Sequence, residues 1–454
     1  MPTERRGREN GKFHRQASPG LRARPTMTPR LMKLKSLAKE APDLSFKTIH
    51  HLLTVELLEI AFHRLDERKA IGIDGVSKFR YARHLEANLK DLENRIQRGA
   101  YQPLPAKQVL IPKANGKMRP IAISALEDKI VQMAAAMILD ALYEPLFKDV
   151  STGFRPRRGC HDAIGKLYHV LKRDGRPYVV DCDIQAFFDS MDHERLMEFL
   201  KKRISDKRFL RLIGRLLRMG VMTQDGDTKI NEVGSPQGSV VSPILANIYL
   251  HYVIDTWFEE SHKSYNQQLV RYADDTVFCF KDASAAETFL ETLKSRLKEN
   301  HLELNEDKTK IVDFRKDAGN TFNFLGFSFY WGIGKDKARL LKTKTCAEKL
   351  RRSIHSFKDW IRAVRNKHKL RVLWKQAAEK INGHYAYYGT TVNNKLGFYY
   401  KTCLELLHKW LNRRSQKKSM SWTAFQERLK SFPLPKPWGF RLVDLNQGVL
   451  DYAI

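Results

Sequence analysis

Two adjacent aspartates, Asp274 and Asp275, are the residues whose types and spacing most directly suggest chemistry. At about 4 Å and an effective dielectric constant of about 20, two like charges repel by roughly 4 kcal/mol, so a neighbouring group usually compensates them. The flanking segments 269–272 and 276–280 are rich in β-branched and aromatic residues, which predicts a β-hairpin with both carboxylates at its bend. A divalent cation such as Mg²⁺ could neutralise them there. A solvated turn is the competing interpretation, because aspartate favours turns for its own hydrogen bonding.

A third carboxylate is expected from the strand predicted over residues 178–184, where acidic residues interrupt an apolar run. A buried strand does not accept a carboxylate unless it is paired, protonated or bound to a metal. Asp183 is the natural third member, and Asp181 and Asp189 compete with it. Alternation along the strand places Asp181 and Asp183 on the same face, so position alone does not separate them.

Basic groups are predicted on a second hairpin, over residues 109–121, where two extended runs flank an Asn-Gly pair. Lys113, Lys117 and Arg119 lie on or near its tip, where they could bind phosphates. A basic hairpin can also simply confer solubility. A further basic turn covers residues 153–159, and its arginines are Arg155, Arg157 and Arg158.

Other elements must hold these residues in place. Apolar periodicity predicts helices over residues 125–147 and 284–300, the second opening with Ser284 and Glu287 at the spacing of a capping box. Residues 234–238 form a loop punctuated by glycine and proline, and residues 322–327 are predicted to be one aromatic strand. After residue 340 the pattern changes to basic amphipathic helices, which predicts a separate helical domain.

The charge of the chain indicates a polyanionic partner. It has 81 Lys and Arg against 51 Asp and Glu, a formal net charge of +30. Nucleic acid fits better than a membrane surface, because the basic residues are spread along the sequence and no apolar run reaches the roughly 20 residues that span a bilayer. The five scattered cysteines predict reduced thiols in a cytosolic protein. A basic cluster, Arg413, Arg414, Lys417 and Lys418, follows the last predicted helix, although a solvated charged face is the alternative interpretation.

Three carboxylates beside basic groups and aromatic residues are what phosphoryl transfer by two metal ions requires. The sequence also resembles a known family, the group II intron-encoded reverse transcriptases and maturases, in the form without a C-terminal endonuclease domain. The resemblance runs from about residue 46 to about 415. It rests on ordered motifs: 72–75, 111–113 with 119–120, 153–156, Asp183 with 187–188, 235–238, 272–275, 308–309 and 324–327.

The resemblance implies an α+β right-hand polymerase fold of fingers and palm, followed by an all-α thumb and maturase domain. The resemblance implies an N-terminal extension that clamps template RNA (41–95), fingers and palm (96–335) and the thumb and maturase domain (340–420). Outside the resemblance, the composition predicts a basic disordered arm (1–40), and a C-terminal tail (421–454) remains. No nuclease module follows the maturase segment, so DNA cleavage by this chain is not expected.

The resemblance also assigns roles to residues. Asp183, Asp274 and Asp275, with the backbone of Ile184, would hold two Mg²⁺ ions, for which Mn²⁺ could substitute. The residues implied to bind the nucleotide are Lys113, Arg119, Phe188, Gln237 and Lys308. Phe324, Leu325, Gly326 and Phe327 would form the primer grip. Apart from the resemblance, their basic character predicts that the three arginines of the 153–159 turn and the cluster at 413–418 bind RNA.

The implied activity is RNA-directed DNA polymerisation with intron RNA binding and splicing. The partners would be an RNA template, a DNA or RNA primer and deoxynucleoside triphosphates, without a membrane. A bacterial cytoplasm is the expected location, with an organelle as the alternative. Two other roles remain open: a maturase that acts mainly as an RNA-binding splicing factor, and a domesticated relative used in DNA repair or phage defence.

Overall fold

A computed structural model describes residues 27–112, 116, 118–173, 175–262, 267–334, 336–414, 419–439 and 442–445. The helices are α1 (Pro29–Glu40), α2 (Val55–Arg64), α3 (Lys78–Ala82), α4 (Leu85–Gln97), α5 (Leu126–Tyr143), α6 (Cys160–Arg173), α7 (Phe187–Ser190), α8 (His193–Lys201), α9 (Lys207–Leu217), α10 (Ser242–Leu250), α11 (Thr256–His262), α12 (Ala283–Lys298), α13 (Ala347–Val364), α14 (Leu370–Tyr388), α15 (Leu396–Leu411) and α16 (Trp422–Ser431). The strands are β1 (Ala106–Pro112), β2 (Met118–Ile123), β3 (Tyr178–Cys182), β4 (Val221–Met222), β5 (Thr228–Lys229), β6 (Gln268–Tyr272), β7 (Asp275–Phe280), β8 (Lys310–Asp313), β9 (Phe322–Phe324), β10 (Phe327–Ile333) and β11 (Arg339–Thr345).

The sheet that carries the acidic residues has the strand order β6-β7-β3-β8, with antiparallel neighbours. Both of its faces are buried, which explains the nearly continuous apolar run of β7. Val180 and Phe278 pack into the large core that contains α5, while Val179 and Val277 pack into a second core that contains α6. The sheet is therefore a rigid layer between two groups of side chains.

The predicted basic hairpin is confirmed over its described residues. Strands β1 and β2 pair antiparallel from Lys107 opposite Ile123 to Pro112 opposite Met118, and β4 and β5 extend the sheet beyond β1. Residues 113–115 and Lys117 lie outside the described residues. The hairpin ends that lead to its tip are exposed.

The predicted single strand over residues 322–327 is wrong. Residues Phe322–Phe324 and Phe327–Ile333 are two antiparallel strands, with Phe324 opposite Phe327. The chain reverses because Leu325 and Gly326 both have positive φ angles, 48° and 79°. Two such residues in succession are typical of the tight turns that join hairpins, and only glycine adopts that conformation at little cost.

The N-terminal end of the described chain is more ordered than expected. The arm predicted to be disordered over residues 1–40 contains α1, which Thr28 caps by accepting a hydrogen bond from the Leu31 N–H. Leu31, Leu34 and Ala38 are buried in the large core, so this part of the prediction is wrong. Residues 1–26 lie outside the described residues.

The C-terminal helices share a separate core. Its residues come from α13, α14 and α15, as predicted, and also from α16, whose Phe425 is fully buried. The helical unit thus continues beyond the boundary expected at residue 420. The capping box predicted at Ser284 is also wrong, because α12 begins after Asp282 without a side-chain capping hydrogen bond. Within the described residues, no helix is both long enough and apolar enough to cross a membrane.

Candidate active site

The hairpin predicted around Asp274 and Asp275 is present. Tyr272 at the end of β6 pairs with Asp275 at the start of β7, which leaves Ala273 and Asp274 as a two-residue turn. Ala273 has a φ of 56°, a left-handed conformation that costs an alanine of the order of 1 kcal/mol. Surrounding contacts must therefore hold the turn in this form.

Asp183 lies at the same edge of the sheet as this turn. It directly follows β3, whose last residue, Cys182, pairs with Thr276 on β7. The Asp183 carbonyl accepts a hydrogen bond from the Asn305 N–H at 2.8 Å, and Ile184 forms an isolated bridge with Leu304. The third carboxylate is thereby fixed beside the first two by the register of antiparallel strands.

The electrostatics of the three carboxylates are coupled. Asp275 is exposed to solvent at its surface, yet the surrounding protein replaces much of the hydration of its carboxylate. This desolvation, followed by the negative charges of Asp274 and Asp183, raises the pKa of Asp275 to about 7. Desolvation also raises the pKa of Asp274, and the nearby positive charge of Arg119 opposes that rise. A freely solvated turn would show neither effect.

Asp183 already has a cationic partner. Its Oδ2 atom lies 2.8 Å from Nζ of Lys308, a residue predicted to lie near the leaving pyrophosphate. In the described parts of the chain, no group of three His, Cys, Asp or Glu side chains is preassembled to hold a metal ion. The Asp183 carboxylate is directed toward Lys308 instead.

The competing aspartates have different surroundings. The Asp189 carboxylate accepts hydrogen bonds from Nε2 of Gln237 at 3.2 and 3.3 Å. Asp181 lies within β3, opposite Val277 and Lys310, and burial raises its pKa to about 6 while Lys310 opposes the rise. Asp183 is the one that lies past the end of the strand, where a side chain can turn toward the hairpin bend.

The loop over residues 234–239 connects α7 to the basic hairpin. The Ser235 N–H donates to the Phe188 carbonyl at 2.7 Å, and the Ala122 N–H donates to the Gln237 carbonyl at 2.7 Å. The structure thus links the predicted nucleotide-binding residues Phe188 and Gln237 to β2, the strand that carries Arg119. Arg119 is exposed, and Lys113 lies outside the described residues.

Gln132 holds this loop from within α5, and the sequence reasoning missed it. It is fully buried and accepts hydrogen bonds from the Val240 N–H at 2.8 Å and the Ser239 hydroxyl at 3.2 Å. Its Nε2 atom donates to the Ser124 hydroxyl at 3.2 Å. An amide in the middle of an otherwise apolar helical face was the available signal, because buried polar groups require partners.

The predicted primer grip divides into buried and accessible residues. The side chains of Phe324 and Phe327 are buried in the second core, whereas the turn residues Leu325 and Gly326 are partly exposed. The Tyr387 hydroxyl on α14 donates to the Leu325 carbonyl at 3.1 Å, so the helical domain supports this turn directly.

Arg155 does not fit its predicted contact with RNA. It is buried, it is ion-paired with Glu144 at 2.9 Å, and it donates to the carbonyls of Lys148 and Ser151. The hydrogen bonds of its guanidinium are thus directed into the protein, and the prediction for this residue is wrong.

The other predicted RNA-binding residues differ in their surroundings. Arg157 is exposed, whereas Arg158 is partly exposed and paired with Asp149 at 2.8 Å. Arg413 is exposed beside the Trp410 ring, and Arg414 donates to the His368 carbonyl at 3.0 Å. Lys417 and Lys418 lie outside the described residues.

Comparisons with known proteins agree with this geometry. Residues 111–329 match the family described as reverse transcriptase (RNA-dependent DNA polymerase). The chain is 34% identical to protein YkfC of Escherichia coli over 331 residues, which cover 65% of this chain and 86% of YkfC. It is also 34% identical to the group II intron-encoded protein LtrA of Lactococcus lactis, over 50% of this chain and 38% of LtrA.

A 91 kDa protein in the cob intron of Schizosaccharomyces pombe is 46% identical over 147 residues, 32% of this chain and 18% of that protein. The chain thus spans most of YkfC but well under half of the two intron proteins. Its sheet and helical layers form the right-hand polymerase fold. On these matches the chain belongs to the group II intron-encoded reverse transcriptase and maturase family, and it is an RNA-directed DNA polymerase.

Proposed function

We propose that this chain extends a primer on an RNA template with two Mg²⁺ ions held by Asp183, Asp274 and Asp275 and the carbonyl of Ile184. The observation that carries the proposal is the gathering of three carboxylates at one edge of the β6-β7-β3-β8 sheet, where burial and the negative charges of Asp274 and Asp183 raise the pKa of Asp275. Such a concentration of negative charge is costly unless cations occupy the site in use.

The donor set fits Mg²⁺ and Mn²⁺, because both prefer carboxylate and carbonyl oxygens. The Lys308 ammonium bound to Asp183 is a further indication, since it occupies a position where positive charge is stabilised. When bound, the ions would lower the pKa of the primer 3′-hydroxyl and stabilise the charge of the departing pyrophosphate. In that state Lys308 would be free to bind the pyrophosphate.

The remaining residues would orient the substrates. Arg119, with Lys113, would bind the triphosphate, while Gln237 would contact the nucleotide and the templating base. Phe188 would occupy the space of a ribose 2′-hydroxyl and so favour deoxynucleotides. The reaction forms a bond between the primer oxygen and the α-phosphorus and breaks the bond from that phosphorus to the pyrophosphate oxygen. The turn of Leu325 and Gly326 would position the primer end.

We also propose that the chain binds and helps to splice an intron RNA. The similarity to a protein named as group II intron-encoded supports this role, as do the net charge of +30 and the exposed Arg413 at the end of α15. The five cysteines are free thiols, four of them buried, which fits the bacterial cytoplasm that we propose as its location.

The test is primer extension on an RNA template by the variants Asp274→Asn and Asp181→Asn. Asp274→Asn should abolish extension, because it removes a metal-binding carboxylate, while RNA affinity stays within about twofold since little positive surface changes. Asp181→Asn is the matched control on the neighbouring strand and should keep activity within a few-fold. Normal extension by Asp274→Asn, or loss of activity in Asp181→Asn alone, would contradict the assignment.

A further inference from the structure

The turn that carries Asp274 is supported from inside the protein by one arginine. Nη1 of Arg271 donates to the carbonyl of Ala273 at 2.9 Å, and Ala273 is the residue with the left-handed φ. The Arg271 side chain has no exposure to solvent. A guanidinium is therefore fixed inside the protein, directly behind the bend.

Arg271 is held in turn by two side chains, Asn247 on α10 and Asp255 in the segment that joins α10 to α11. Asp255 accepts from its Nε at 2.7 Å and from its Nη2 at 2.5 Å, and it too is fully buried. Asn247 accepts from Nη1 at 3.1 Å. Asp255 ends a π-helical turn, His251–Asp255, a local distortion of a helix that occurs frequently at functional sites.

The opposite side of the turn is held equally closely. The Asn247 amide donates to the Gly153 carbonyl at 2.8 Å. Asn247 therefore contacts both Arg271 and Gly153, which lie against the turn on different sides. A Cβ atom on Gly153 would lie 2.4 Å from the backbone nitrogen of Ala273, which means that only glycine allows this approach. The backbone of Arg271 also pairs with Val150 and Thr152 beside it.

Stability alone does not account for this arrangement. A fully buried ion pair contributes little compared with well-packed apolar residues of the same volume, because removing both charges from water is costly. An apolar pair could fill the space, but it could not donate a hydrogen bond to the Ala273 carbonyl. The hydrogen bond to the Ala273 carbonyl is therefore what the guanidinium adds to the packing of the turn.

We propose that Arg271, oriented by Asp255 and Asn247, is a positioning residue for the metal-binding carboxylates. It holds the Ala273 carbonyl and so sets the directions in which Asp274 and Asp275 leave the turn, without contacting substrate. The inference rests on the proposed two-metal function. A shift of about 1 Å at such a site can reduce the rate about 100-fold.

The experiment uses the full chain with Arg271→Lys, which keeps a positive charge opposite Asp255. A single ammonium cannot reproduce the planar set of bonds to Asp255, Asn247 and Ala273. We expect the dissociation constant for Mn²⁺, measured by calorimetry on the nucleic-acid-free protein, to rise about tenfold. We expect kcat for primer extension to fall about 100-fold, while KM for the primer and template stays within about twofold.

Arg203→Lys is the matched control. Arg203 is also buried, and its guanidinium donates to the carbonyls of Ala38, Ala41 and Leu44 at the end of α1. Its replacement should lower the melting temperature without changing Mn²⁺ affinity, which separates a positioning effect from a loss of stability.

Asn247→Ala leaves the Arg271 ion pair intact, and it serves as the test if Arg271→Lys does not fold. It should weaken Mn²⁺ binding about threefold. Mn²⁺ affinity and kcat within twofold of the parent in the folded variants would overturn the inference. An inactive Asp274→Asn together with a normal Arg271→Lys would refute this inference alone, whereas an active Asp274→Asn would refute the proposed function.

Discussion

Phe188 is half-buried, and its carbonyl is tied to the loop that carries Gln237. Its ring packs edge-on against the ring of Phe187, with centroids 5.4 Å apart, so Phe187 supports it from one side. If this ring excludes a 2′-hydroxyl, Phe188→Ala should increase ribonucleotide incorporation relative to deoxynucleotide incorporation by about tenfold or more, a change of roughly 1.4 kcal/mol in relative transition-state binding.

The measurement is the ratio of kcat/KM for the two nucleotide types on one RNA template. Phe188→Tyr keeps the bulk of the ring and is the control, and it should discriminate as well as the parent. An unchanged ratio in Phe188→Ala would remove the proposed gating role.

At the scale of single residues, the sequence shows which side chains are charged but not which of them are buried. The paired aspartates stood out because adjacent carboxylates need compensation, and the strand around Asp183 signalled a third one. Arg155 looked like a phosphate ligand, yet its ion pair with Glu144 directs it inward. An arginine can pair with an acidic residue of the same protein or remain available to a ligand. Which of the two occurs depends on a residue outside its own segment, and the local sequence pattern does not show that residue.

At the scale of elements, Gln132 couples α5 to the nucleotide-binding loop. Gln132→Leu would leave the Val240 N–H and the Ser124 hydroxyl without their buried partner, at a cost of about 1 to 3 kcal/mol. Because the loop carries Gln237, we expect KM for the incoming nucleotide to rise about tenfold, with primer–template affinity unchanged. Steady-state kinetics with varied nucleotide concentration measures it.

Ser239→Gly is the matched change on the loop side. It removes only the hydrogen bond from the Ser239 hydroxyl and leaves the Val240 N–H bonded to Gln132. The nucleotide KM should therefore change by less than about threefold. Equal effects of the two variants would mean that the loop is not held through the Gln132 amide.

Elements with a regular spacing of apolar residues can be predicted from the sequence, whereas the positions of their ends and turns are harder to predict. The basic hairpin and the hairpin around Asp274 follow from local residue types. The aromatic segment 322–327 was predicted as one strand because Leu325 is an ordinary strand residue, and its positive φ is imposed by the paired strands on either side. Helix α1 was missed because its few buried residues depend on the core that they join.

At the scale of the whole molecule, Asp140 links stability to pH. It lies on α5, and the charged groups near it are Glu144 directly after that helix, Arg64 on α2 and Lys35 on α1. Burial, with Glu144, raises its pKa to about 7 against the two cations. The folded protein therefore binds this proton more tightly than the unfolded chain, and stability falls as pH rises from about 4 to about 7.

Asp140→Asn should remove this dependence and stabilise the protein by about 1 to 2 kcal/mol at pH 8. Denaturant unfolding of the parent and the variant at several pH values measures the difference. A difference in unfolding free energy that stays constant between pH 4 and pH 8 would show that Asp140 keeps its ordinary pKa.

The net charge of +30 predicts how RNA affinity responds to salt. Each phosphate neutralised by the protein releases counterions, so the logarithm of affinity falls with the logarithm of salt concentration by about 0.7 to 0.9 per contact. Arg413 is exposed and stacks on Trp410, with no acidic partner among the described residues, so its charge is available to a phosphate. Arg413→Gln should therefore reduce the slope by about 1 without lowering the melting temperature.

Arg315→Gln is the control for this prediction. Arg315 is equally exposed, but both oxygens of Asp313 already accept hydrogen bonds from it, at 2.6 to 3.0 Å. Its removal also exposes the Asp313 charge, so affinity should fall at all salt concentrations by a similar small factor and the slope should stay close to that of the parent. Filter binding of a structured RNA between about 50 and 500 mM salt separates the two responses. If Arg413→Gln leaves the slope unchanged, the end of α15 does not contact the RNA backbone, and the positive charge that binds RNA must lie elsewhere on the molecule.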